Sequence, residues 1–564
     1  MRKTGAQILC ESLIKEGVEV IFGIPGGAVL PLYDTLASYP QIRHILCRHE
    51  QCAAHAADGY ARVTGKAGVC LATSGPGATN LVTGIANAYM DSSPIVAITG
   101  QVGRPFIGKD AFQETDISGI TIPITKYNYL VTDTNILAKT VKEAFHIAQT
   151  GRPGPVVIDI PKDVQQEEVE FNYPDKISLP GYKVMSRGHT VQIKKAAKMI
   201  YESQKPIILA GRGVIISEAY NELKEFAEKA QIPVVNTLLG LGSFPENHIL
   251  NFGWLGMHGM VHANMAVQNA DIIIAIGMRF DDRATGNTSN FAPNAKIVHI
   301  DIDPTEIGKN VPVDVPIVGD VKNVLRAMLK ELQLQEHVDW ISLLGQWRDE
   351  HPSIGTKECD ELLPQYVIHK ICQASKGNAR LVTGVGQHQM WAAQYFSYTK
   401  PNTLILSGGL GTMGFELPAS IGVKIGCPED IVWCVAGDGS IQMTIQELAT
   451  IRQENLNIKI AVINNQYLGL VRQWQELFYD RSYVGVKLWN PDFVEIAHAY
   501  EIPGIKVEHR DEVASAIQQA MECDGPFLID FAVEPEENVY PIIPPGRTLS
   551  QIIENPVKEL VNKY

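Results

Sequence analysis

"CVAGDGSIQMT", residues 434–444, is the stretch that decides how this chain is understood. An apolar run ends at Gly437, Asp438 stands between two glycines, and a helical pattern follows. Such a stretch is often only a turn, because glycine supplies unusual backbone angles and Asp caps the following helix. The alternative is an acid that faces a cation, with glycines that let phosphate approach the backbone. The sequence around the stretch decides between these two interpretations.

The next polar pair is Asn464 and Asn465, and the residues between, 440–463, predict one helix (TIQELATIRQEN) and one strand (IKIAVI). A strand, a helix and a parallel strand form a single crossover. We therefore expect Asp438 and Asn465 at the carboxyl ends of neighbouring strands, where open α/β sheets bind ligands. A carboxylate, an amide oxygen and a nearby backbone carbonyl suit an octahedral Mg²⁺ that also holds phosphates. The helix start after Gly439 favours the same phosphates.

Short β-branched runs alternate with helical patterns along the rest of the chain, and this alternation predicts βαβ units and parallel sheets. A chain of 564 residues is too long for one hydrophobic core. We expect an α/β fold with three doubly wound parallel-sheet domains. The predicted boundaries are 1–170, 190–332 and 360–540, with a C-terminal tail over 541–564 and a linker over 168–189. We find no internal sequence repeat.

Composition and charge exclude several classes of protein. The net charge is −14 with no basic block, so neither nucleic acid nor an anionic membrane is an expected partner. No apolar run reaches the roughly 18 residues of a membrane span. The N-terminal residues pass directly into a helix and a strand, so no signal peptide is expected. The nine cysteines are scattered without a C-x-x-C pair, which predicts reduced thiols, a cytoplasmic location and no zinc site or disulfide framework.

Gly-Asp-Gly followed by Asn-Asn at this spacing resembles the diphosphate-binding motif of thiamine diphosphate (ThDP) enzymes. The resemblance implies that Asp438 and Asn465 hold Mg²⁺ through their side chains and Tyr467 through its backbone carbonyl. It also implies a Glu that hydrogen-bonds N1′ of the aminopyrimidine. Glu50, after a predicted strand and at the start of an Ala-rich helix, matches that position. Alone, Glu50 reads as a helix-start acid favoured by the dipole. The turn SGPGATN (residues 74–80) matches one near the pyrimidine.

A closer resemblance, over essentially the whole chain, is to the catalytic subunits of acetohydroxyacid synthases. It rests on FGIPGGAVLPLYD, RHEQ, DAFQETDI, GRPGPVVIDIPKDV, MRFDDRATG, GVGQHQMWAAQ, GGLGTMGFELPA and GLVRQWQELFY. The family condenses two 2-ketoacids with loss of CO₂. Two pyruvates give 2-acetolactate, and pyruvate with 2-ketobutyrate gives 2-aceto-2-hydroxybutyrate, in the first common step of valine, leucine and isoleucine biosynthesis. The implied cofactors are ThDP, which carries the hard chemistry, Mg²⁺, and FAD in a non-redox role.

The resemblance assigns cofactor contacts to individual residues of this chain. Gly27 and Gln113 match positions near the reacting centre, beside Glu50. Met413 matches the bulky residue that holds ThDP bent, although alone it reads as a gap-filling core residue. The implied ThDP contacts are Glu50, Gln387, His388, Gly411, Met413, Asp438, Gly439, Ser440, Asn465, Tyr467, Gly469 and Leu470.

Substrate contacts are implied in the same way. Phe112 and Lys162 match positions that line the substrate channel, although Lys162 in isolation reads as a solvated charge. Trp474 lies four residues after Leu470 on a predicted short helix, so both share one face. Such a face is commonly core. By resemblance Trp474 instead selects the acceptor ketoacid.

The middle domain receives an extended FAD site by resemblance alone, because ketoacid condensation has no redox step. The residues AGRGV (210–214) are a weak dinucleotide signal without a third glycine. The loops MRFDDR and DIDP also fit simple turns. The implied FAD contacts are Arg152, Gly211, Gly213, His258, Arg279, Asp281, Arg283, Asp301, Asp303 and Asp320.

Two residues depart from the pattern of the resembled family. Glu416 in GTMGFELPA stands where the family usually has glycine, and it adds bulk and charge near the ThDP site. Leu470 replaces a common Met, which conserves volume. The resemblance also implies a homodimer or larger assembly with active sites shared between chains, and a small regulatory subunit.

Two other functions are compatible with parts of the sequence. One is a different ThDP enzyme, such as an FAD-free catabolic acetolactate synthase, a pyruvate oxidase or a ketoacid decarboxylase. The RFDDR and QWQ segments disfavour the catabolic form. The other is an inactive scaffold that binds nucleotides or partner subunits. That function requires loss of Glu50, Asp438 or Asn465, and all three residues are present.

Overall fold

The structure is a computed structural model that describes residues 1–352, 355–356, 359–554 and 561–562. Three six-stranded sheets form its framework, and all neighbouring strands within these sheets are parallel. The predicted α/β class with three parallel-sheet domains is confirmed. In the described ranges, no helix combines the length and the apolar character needed to span a membrane.

The first sheet lies within residues 1–170. Its six strands are β2 (Val20–Gly23), β3 (Arg43–Leu46), β4 (Gly68–Ala72), β5 (Ile95–Gln101), β6 (Tyr127–Leu130) and β7 (Val156–Pro161). A separate antiparallel pair is formed by β1 (Arg2–Thr4) and β8 (Glu168–Glu170). The sheet order is β3-β2-β4-β5-β7-β6. The helices are α1 (Gly5–Lys15), α2 (Leu30–Leu36), α3 (Glu50–Thr64), α4 (Pro76–Asn80), α5 (Val82–Met90), α6 (Ile117–Thr121), α7 (Leu137–Gln149) and α8 (Lys162–Gln166).

The second sheet has the strand order of dinucleotide-binding folds. Its strands are β9 (Pro206–Ala210), β10 (Val234–Asn236), β11 (Asn251–Trp254), β12 (Ile272–Ile276), β13 (Lys296–Asp301) and β14 (Val315–Val318). The order β11-β10-β9-β12-β13-β14 reverses between β9 and β12, the point where such folds bind ligands. The helices are α9 (Thr190–Tyr201), α10 (Arg212–Ile216), α11 (Tyr220–Ala230), α12 (Val261–Asn269), α13 (Asp282–Thr285) and α14 (Val321–Glu331).

The third sheet follows α15 (Val338–Glu350) and β15 (Gly355–Thr356). Its strands are β16 (Arg380–Thr383), β17 (Leu404–Leu406), β18 (Val432–Gly437), β19 (Ile458–Asn464), β20 (Gly504–Val507) and β21 (Phe527–Ala532), and a last strand β22 (Val561–Asn562) pairs with β15. The helices are α16 (Pro364–Ser375), α17 (Gln387–Tyr395), α18 (Glu416–Gly426), α19 (Asp438–Ile441), α20 (Leu448–Gln453), α21 (Gly469–Phe478), α22 (Phe493–Ala499) and α23 (Val513–Glu522). Single 3₁₀ turns occur at Arg104–Phe106, Ile122–Ile124, Thr134–Ile136, Leu238–Gly240, Thr288–Asn290, Ile445–Glu447 and Arg510–Glu512.

The first and third sheets share one topology. The third sheet runs β17-β16-β18-β19-β21-β20, which matches the order of the first sheet when each is counted from its own first strand. The sequence shows no corresponding repeat. A shared strand order needs only a similar succession of apolar runs and crossovers, so residue identity can diverge while topology persists.

Four strands of the six-stranded sheets, β6, β11, β14 and β20, have four residues each and are interrupted by a polar residue, a glycine or a proline. Each of the four lies at an edge of its sheet. The residues of β6 and most of those of β20 are only partly buried or exposed. An edge strand has only one neighbouring strand, so it does not require the continuous apolar run of a central strand.

The crossover after Asp438 has the expected connection but a broken helix. β18 and β19 are parallel neighbours, with Gly437 opposite Ile463. The single helix expected over residues 444–455 is instead a 3₁₀ turn at Ile445–Glu447 followed by α20. The Glu447 carboxylate accepts hydrogen bonds from the backbone N–H groups of Arg48 and His49, at 2.8 and 3.1 Å. The crossover thereby supports the N-terminal end of α3, where Glu50 lies.

The first and third domains pack together through α3 and α18. A Cβ added to Gly59 would lie 2.2 Å from the Ala419 carbonyl oxygen, and one at Gly422 would lie 1.8 Å from that of Ala56. Only glycine allows the helices to approach so closely. Beside this contact the buried Arg62 guanidinium bonds both oxygens of Asp58, at 2.6 and 2.9 Å, and Asp91 at 3.0 Å. Asp91 also accepts from the backbone N–H groups of Gly408 and Gly409.

Candidate active and cofactor-binding site

The predicted metal ligands lie at the carboxyl ends of two strands of the third sheet. Asp438 follows β18 directly and Asn465 follows β19, so both lie at the carboxyl ends of adjacent parallel strands. The turn after β16, on the other side of β18, leads to Gln387 at the start of α17. The strand order changes direction between β16 and β18, which is the ligand-binding position of an open α/β sheet.

Asp438 is a buried carboxylate with one amide partner. Its side chain accepts a hydrogen bond from Asn490 Nδ2 at 2.7 Å, and Asn490 Nδ2 also donates to Asn464 Oδ1 at 2.9 Å. Burial raises the pKa of Asp438 to about 6, although the Asn490 amide and backbone N–H groups favour the charged form. A divalent cation binds the carboxylate and not the acid. Cation affinity at this site is therefore expected to increase as the pH rises through about 6.

A chain of buried amides orients Asn465. Asn465 Nδ2 donates to Gln387 Oε1 at 3.0 Å, which leaves Asn465 Oδ1, bonded to the Tyr467 backbone N–H at 3.2 Å, as the acceptor of that amide. Gln387 Nε2 donates to Gln473 Oε1 and to the Glu537 carbonyl oxygen, both at 3.0 Å. Each amide fixes the orientation of the next, so the Asn465 oxygen is held ready for a cation.

Two glycines near these strand ends let His388 and Gln387 approach the backbone closely. A Cβ at Gly437 would lie 2.7 Å from His388 Nδ1, and one at Gly469 would lie 2.0 Å from Gln387 Oε1. His388 Nε2 is buried and has no hydrogen-bond partner among the described residues. Burial lowers the pKa of His388 to about 3. An unpaired buried ring nitrogen beside glycine turns fits a site for a diphosphate.

The remaining predicted ThDP contacts lie on turns at the same edge. Met413 Cε is 3.8 Å from the position of a Cβ at Gly439. Gly411 has φ +76°, a conformation that favours glycine. Ser440 Oγ accepts a hydrogen bond from the Gly414 N–H at 2.8 Å, which ties the GTMG turn to the GDGS turn. Leu470 is half-buried in the first turn of α21.

The first domain gathers a second group of predicted residues around Glu50. Glu50 Oε2 accepts from Asn80 Nδ2 at 3.0 Å, and a Cβ at Gly77 would lie 3.3 Å from Glu50 Oε1. Gln113 has φ +60°, and its backbone lies 2.8 Å from a Cβ placed at Gly75. The turn 74–80 therefore contacts both Glu50 and Gln113. Gly27 is exposed on the neighbouring turn after β2.

The predicted substrate residues lie on the surface of the single chain or near it. Phe112 is 89% exposed, and Lys162 is partly buried at the start of α8. Trp474 is half-buried, and the Arg283 guanidinium carbon lies 5.8 Å from the centroid of its ring. The helix predicted for GLVRQWQELF is present as α21. The structure thus brings Trp474 of the third domain against Arg283 of the second.

The predicted FAD residues surround the reversal point of the second sheet. A Cβ at Gly211 would lie 2.3 Å from the Gly277 carbonyl oxygen, and one at Gly213 would lie 2.6 Å from Gly277 Cα. The turns after β9 and β12 therefore pack glycine against glycine. Arg152, from the first domain, reaches Glu306 at 2.8 Å and Asp303 at 3.4 Å. A glycine backbone at the reversal point of an open α/β sheet fits the close approach of a dinucleotide to these turns.

Several acids of this group already have structural roles. Asp281 caps α13 through the N–H groups of Arg283 and Ala284, and Asp320 caps α14 and accepts from Ser217 Oγ at 2.6 Å. Burial raises the pKa of Asp301 to about 7. The predicted FAD contacts also include His258 and Arg279. The buried Nε2 of His258 lacks a partner in the described ranges, and Arg279 Nε lies 3.6 Å from Asp281 Oδ2.

Sequence reasoning missed the residues that orient the predicted ones. Asn490 hydrogen-bonds Asp438, and Gln473 hydrogen-bonds Gln387. Glu306 forms an ion pair with Arg152, and Glu447 accepts a hydrogen bond from the backbone just before α3. Asn80, which bonds Glu50, lies in the turn 74–80, but no pattern in the sequence indicates this contact. Asn490, Glu306 and Glu447 stand in no motif, and Gln473 stood only in the QWQ segment, with no spacing that signals its contact.

Family models match most of the described chain. Residues 3–120, 193–328 and 384–531 match the models for the N-terminal TPP binding domain, the central domain and the C-terminal TPP binding domain of a thiamine pyrophosphate enzyme. Thiamine pyrophosphate is another name for ThDP. The matches define a ThDP-binding enzyme class.

Curated relatives are similar over nearly the whole chain. The acetolactate synthase large subunit of Corynebacterium glutamicum is 51% identical, over 98% of this chain and 90% of the relative. The acetolactate synthase of Mycobacterium bovis is 52% identical over 97% and 91%. The acetolactate synthase large subunit of Cyanidium caldarium is 48% identical over 98% and 97%. The chain therefore belongs to the thiamine pyrophosphate enzymes, in the acetolactate synthase large subunit family, and the predicted family is confirmed.

Proposed function

We propose that this protein is a ThDP-dependent acetolactate synthase. It joins two 2-ketoacids with loss of CO₂, giving 2-acetolactate from pyruvate alone and 2-aceto-2-hydroxybutyrate from pyruvate with 2-ketobutyrate. These products begin the branched-chain amino-acid pathway. The observation that carries the proposal is the placement of Asp438 and Asn465 at adjacent strand ends beside glycine turns.

Asp438, Asn465 and the Tyr467 carbonyl would hold Mg²⁺, and the neighbouring turns would bind the diphosphate. One carboxylate with neutral oxygens suits Mg²⁺, which keeps further positions for phosphate oxygens. Bound ThDP supplies a carbon nucleophile and an electron sink for decarboxylation. Glu50 would hydrogen-bond the aminopyrimidine ring and move the proton needed at N1′. Met413 would pack against the bound cofactor and help to exclude water from it.

A colorimetric acetoin assay with pyruvate, ThDP and Mg²⁺ tests this function. Acetolactate is the expected product, and it is lost when ThDP or Mg²⁺ is omitted. Release of acetaldehyde or acetate in place of acetolactate would instead support a decarboxylase or an oxidase. No turnover by protein that binds ThDP would support the scaffold function.

FAD in a non-redox role belongs to the same proposal. The support is the strand order of the second sheet, the Gly211, Gly213 and Gly277 contacts, and Arg152 beside Asp303 and Glu306. A flavin absorbance band on the purified protein, and acetoin formation restored by FAD after its removal, are the expected results. Retained activity without any flavin would argue for the catabolic form.

We further propose a homodimer or larger assembly with shared active sites. Glu50 bonds with Asn80, and Asp438 bonds with Asn490, so each half of the site is organised within its own domain. Exposed apolar side chains on the same two domains include Phe106, Ile122, Leu410 and Met443. Relatives named as large subunits support a small regulatory partner as well.

Mixing two inactive chains tests the shared site. Random exchange between Glu50→Ala and Asp438→Ala chains makes half of the dimers mixed, and each mixed dimer has one intact site of two. Activity should therefore recover to about a quarter of the wild-type value. Mixing chains that carry the same substitution is the control. No recovery after demonstrated subunit exchange would place each site within one chain.

Trp474→Leu should keep acetolactate formation and lose most of the preference for 2-ketobutyrate. The two acceptors differ by one methylene, which an apolar wall favours by only about 1–3 kcal/mol. Phe478, whose ring centroid lies 6.0 Å from that of Trp474, provides a control substitution on the same helix. The measurement is the product ratio under competition between the two acceptors. An unchanged ratio in a folded, active variant would assign Trp474 to the core.

A further inference from the structure

Glu416 is a buried acid next to the proposed diphosphate site. It is the first residue of α18, directly after the turn that carries Met413, and it is 0% exposed. Neither carboxylate oxygen makes a hydrogen bond of good geometry with a described residue. A buried carboxyl without a hydrogen bond of good geometry calls for an explanation.

The Glu416 carboxyl points between two turns of the cofactor edge. A Cβ added to Gly384 would lie 1.9 Å from Glu416 Oε2 and 2.7 Å from Ser440 Oγ. Gly384 follows β16, and Ser440 follows Asp438 and Gly439 of the GDG turn. Ser440 Oγ in turn accepts from the Gly414 N–H. The carboxyl therefore lies where the turns after β16, β17 and β18 converge.

Burial raises the pKa of Glu416 to about 7, although the Ser440 hydroxyl and the Gly414 N–H favour the charged form. Several elements around Glu416 carry charged or titratable groups: Glu50, Cys52, His55, Asp58, Tyr60 and Arg62 on α3, His388 on α17, Cys434 on β18, Asp438 on α19 and Glu447. Arg62 is engaged by Asp58 and Asp91. Arg380 and Lys459 lie at the amino ends of β16 and β19, away from Glu416. Arg380 is paired with Asp430, and Lys459 donates to the carbonyl oxygens of Cys523 and Gly525. An ionised Glu416 would thus be a poorly compensated anion.

We propose that Glu416 is a positioning residue of the diphosphate site that acts as the uncharged acid and, once ionised, opposes the binding of an anionic diphosphate. The inference rests on the ThDP site proposed above. The neutral carboxyl can donate and accept at once, so it can hydrogen-bond the Ser440 hydroxyl without adding a charge beside the Gly384 turn. The carboxylate can only accept, and its negative charge adds to that of Asp438 and the phosphates.

The test is the affinity of the cofactor-free protein for ThDP at saturating Mg²⁺, by titration calorimetry, for wild type and Glu416→Gln between pH 6 and pH 8.5. The Gln amide resembles the neutral acid in shape and in having both donor and acceptor. Asp438 and ThDP are present in both titrations, so the ratio of the two dissociation constants reports the effect of residue 416, including its repulsion of these anions. That ratio should be close to one at pH 6 and should rise to about tenfold at pH 8.5, with wild type the weaker binder.

Two variants make the comparison specific. Glu416→Gly restores the small residue of the resembled family and should lose the same pH-dependent component, even if its absolute affinity differs. Asp159→Asn is the matched control: Asp159 is also a buried acid, its pKa is raised by burial to about 7, and it lies on β7, bonded to Thr99 and Gln101. The ratio of the wild-type dissociation constant for ThDP to that of Asp159→Asn should not change with pH.

Thermal melts of the cofactor-free proteins give a second readout. Because the folded-state pKa of Glu416 lies above its unfolded value, wild type should lose stability relative to Glu416→Gln as the pH rises from about 4.5 to about 7. A ratio of dissociation constants that stays constant with pH, in folded variants that bind ThDP, would overturn the role of Glu416. Absence of ThDP binding by wild type would instead overturn the proposed cofactor site.

Discussion

Asp438→Asn should weaken Mg²⁺-dependent binding of ThDP by at least about 100-fold, since loss of an outer-shell partner alone costs about 10–100-fold in metal affinity. The substitution keeps the shape of the side chain and removes its negative charge. The loss should appear as a higher Mg²⁺ requirement in a ThDP titration, and saturating Mg²⁺ should restore only part of the activity.

The pH dependence of Mg²⁺ binding gives an independent readout for the same variant. Burial raises the pKa of Asp438 to about 6 in the absence of a cation, so wild type should bind Mg²⁺ more tightly as the pH rises from about 5 to about 7. Asp438→Asn should lose this component. Asp492→Asn, which removes the helix-capping acid of α22, is the control in the same domain. Wild-type affinity in Asp438→Asn would show that the acid serves only the turn.

Glu50→Gln should bind ThDP and Mg²⁺ nearly as wild type does, while its turnover falls by about 10²- to 10⁴-fold. The diphosphate anchor lies in the third domain and remains intact. The amide still accepts a hydrogen bond from Asn80, whose Nδ2 lies 3.0 Å from Glu50 Oε2, so the side chain keeps its place. What disappears is the group that exchanges a proton with the aminopyrimidine.

Hydrogen–deuterium exchange at C2 of bound ThDP measures that loss directly. The exchange rate in Glu50→Gln should fall together with turnover. Glu143→Gln, a buried acid of the same domain whose carboxylate binds the Tyr129 hydroxyl, should exchange at the wild-type rate. Normal exchange in Glu50→Gln would return Glu50 to the role of a helix-start acid.

The candidate site was partly predictable because its chemistry is local in sequence. Gly-Asp-Gly, Asn-Asn and the Gly/Pro turn at residues 74–80 each hold their backbone shape within a few residues. The contacts that orient them were not predictable. Asn490 is 52 residues from Asp438, and Gln473 is 86 residues from Gln387, and nothing in either segment signals the pairing. The roles of the site residues and the domain boundaries stay predictions.

The sequence by itself determined the α/β class, the central strands and the family, because buried parallel strands require continuous apolar runs and the cofactor turns require particular residues in order. Tertiary structure alone decided the edge strands β6, β11, β14 and β20, the shared topology of the first and third sheets, and the approach of α3 to α18 through Gly59 and Gly422. It also decided that Glu416 points between Gly384 and Ser440. These features depend on contacts between residues far apart in the chain, and no local pattern encodes such contacts.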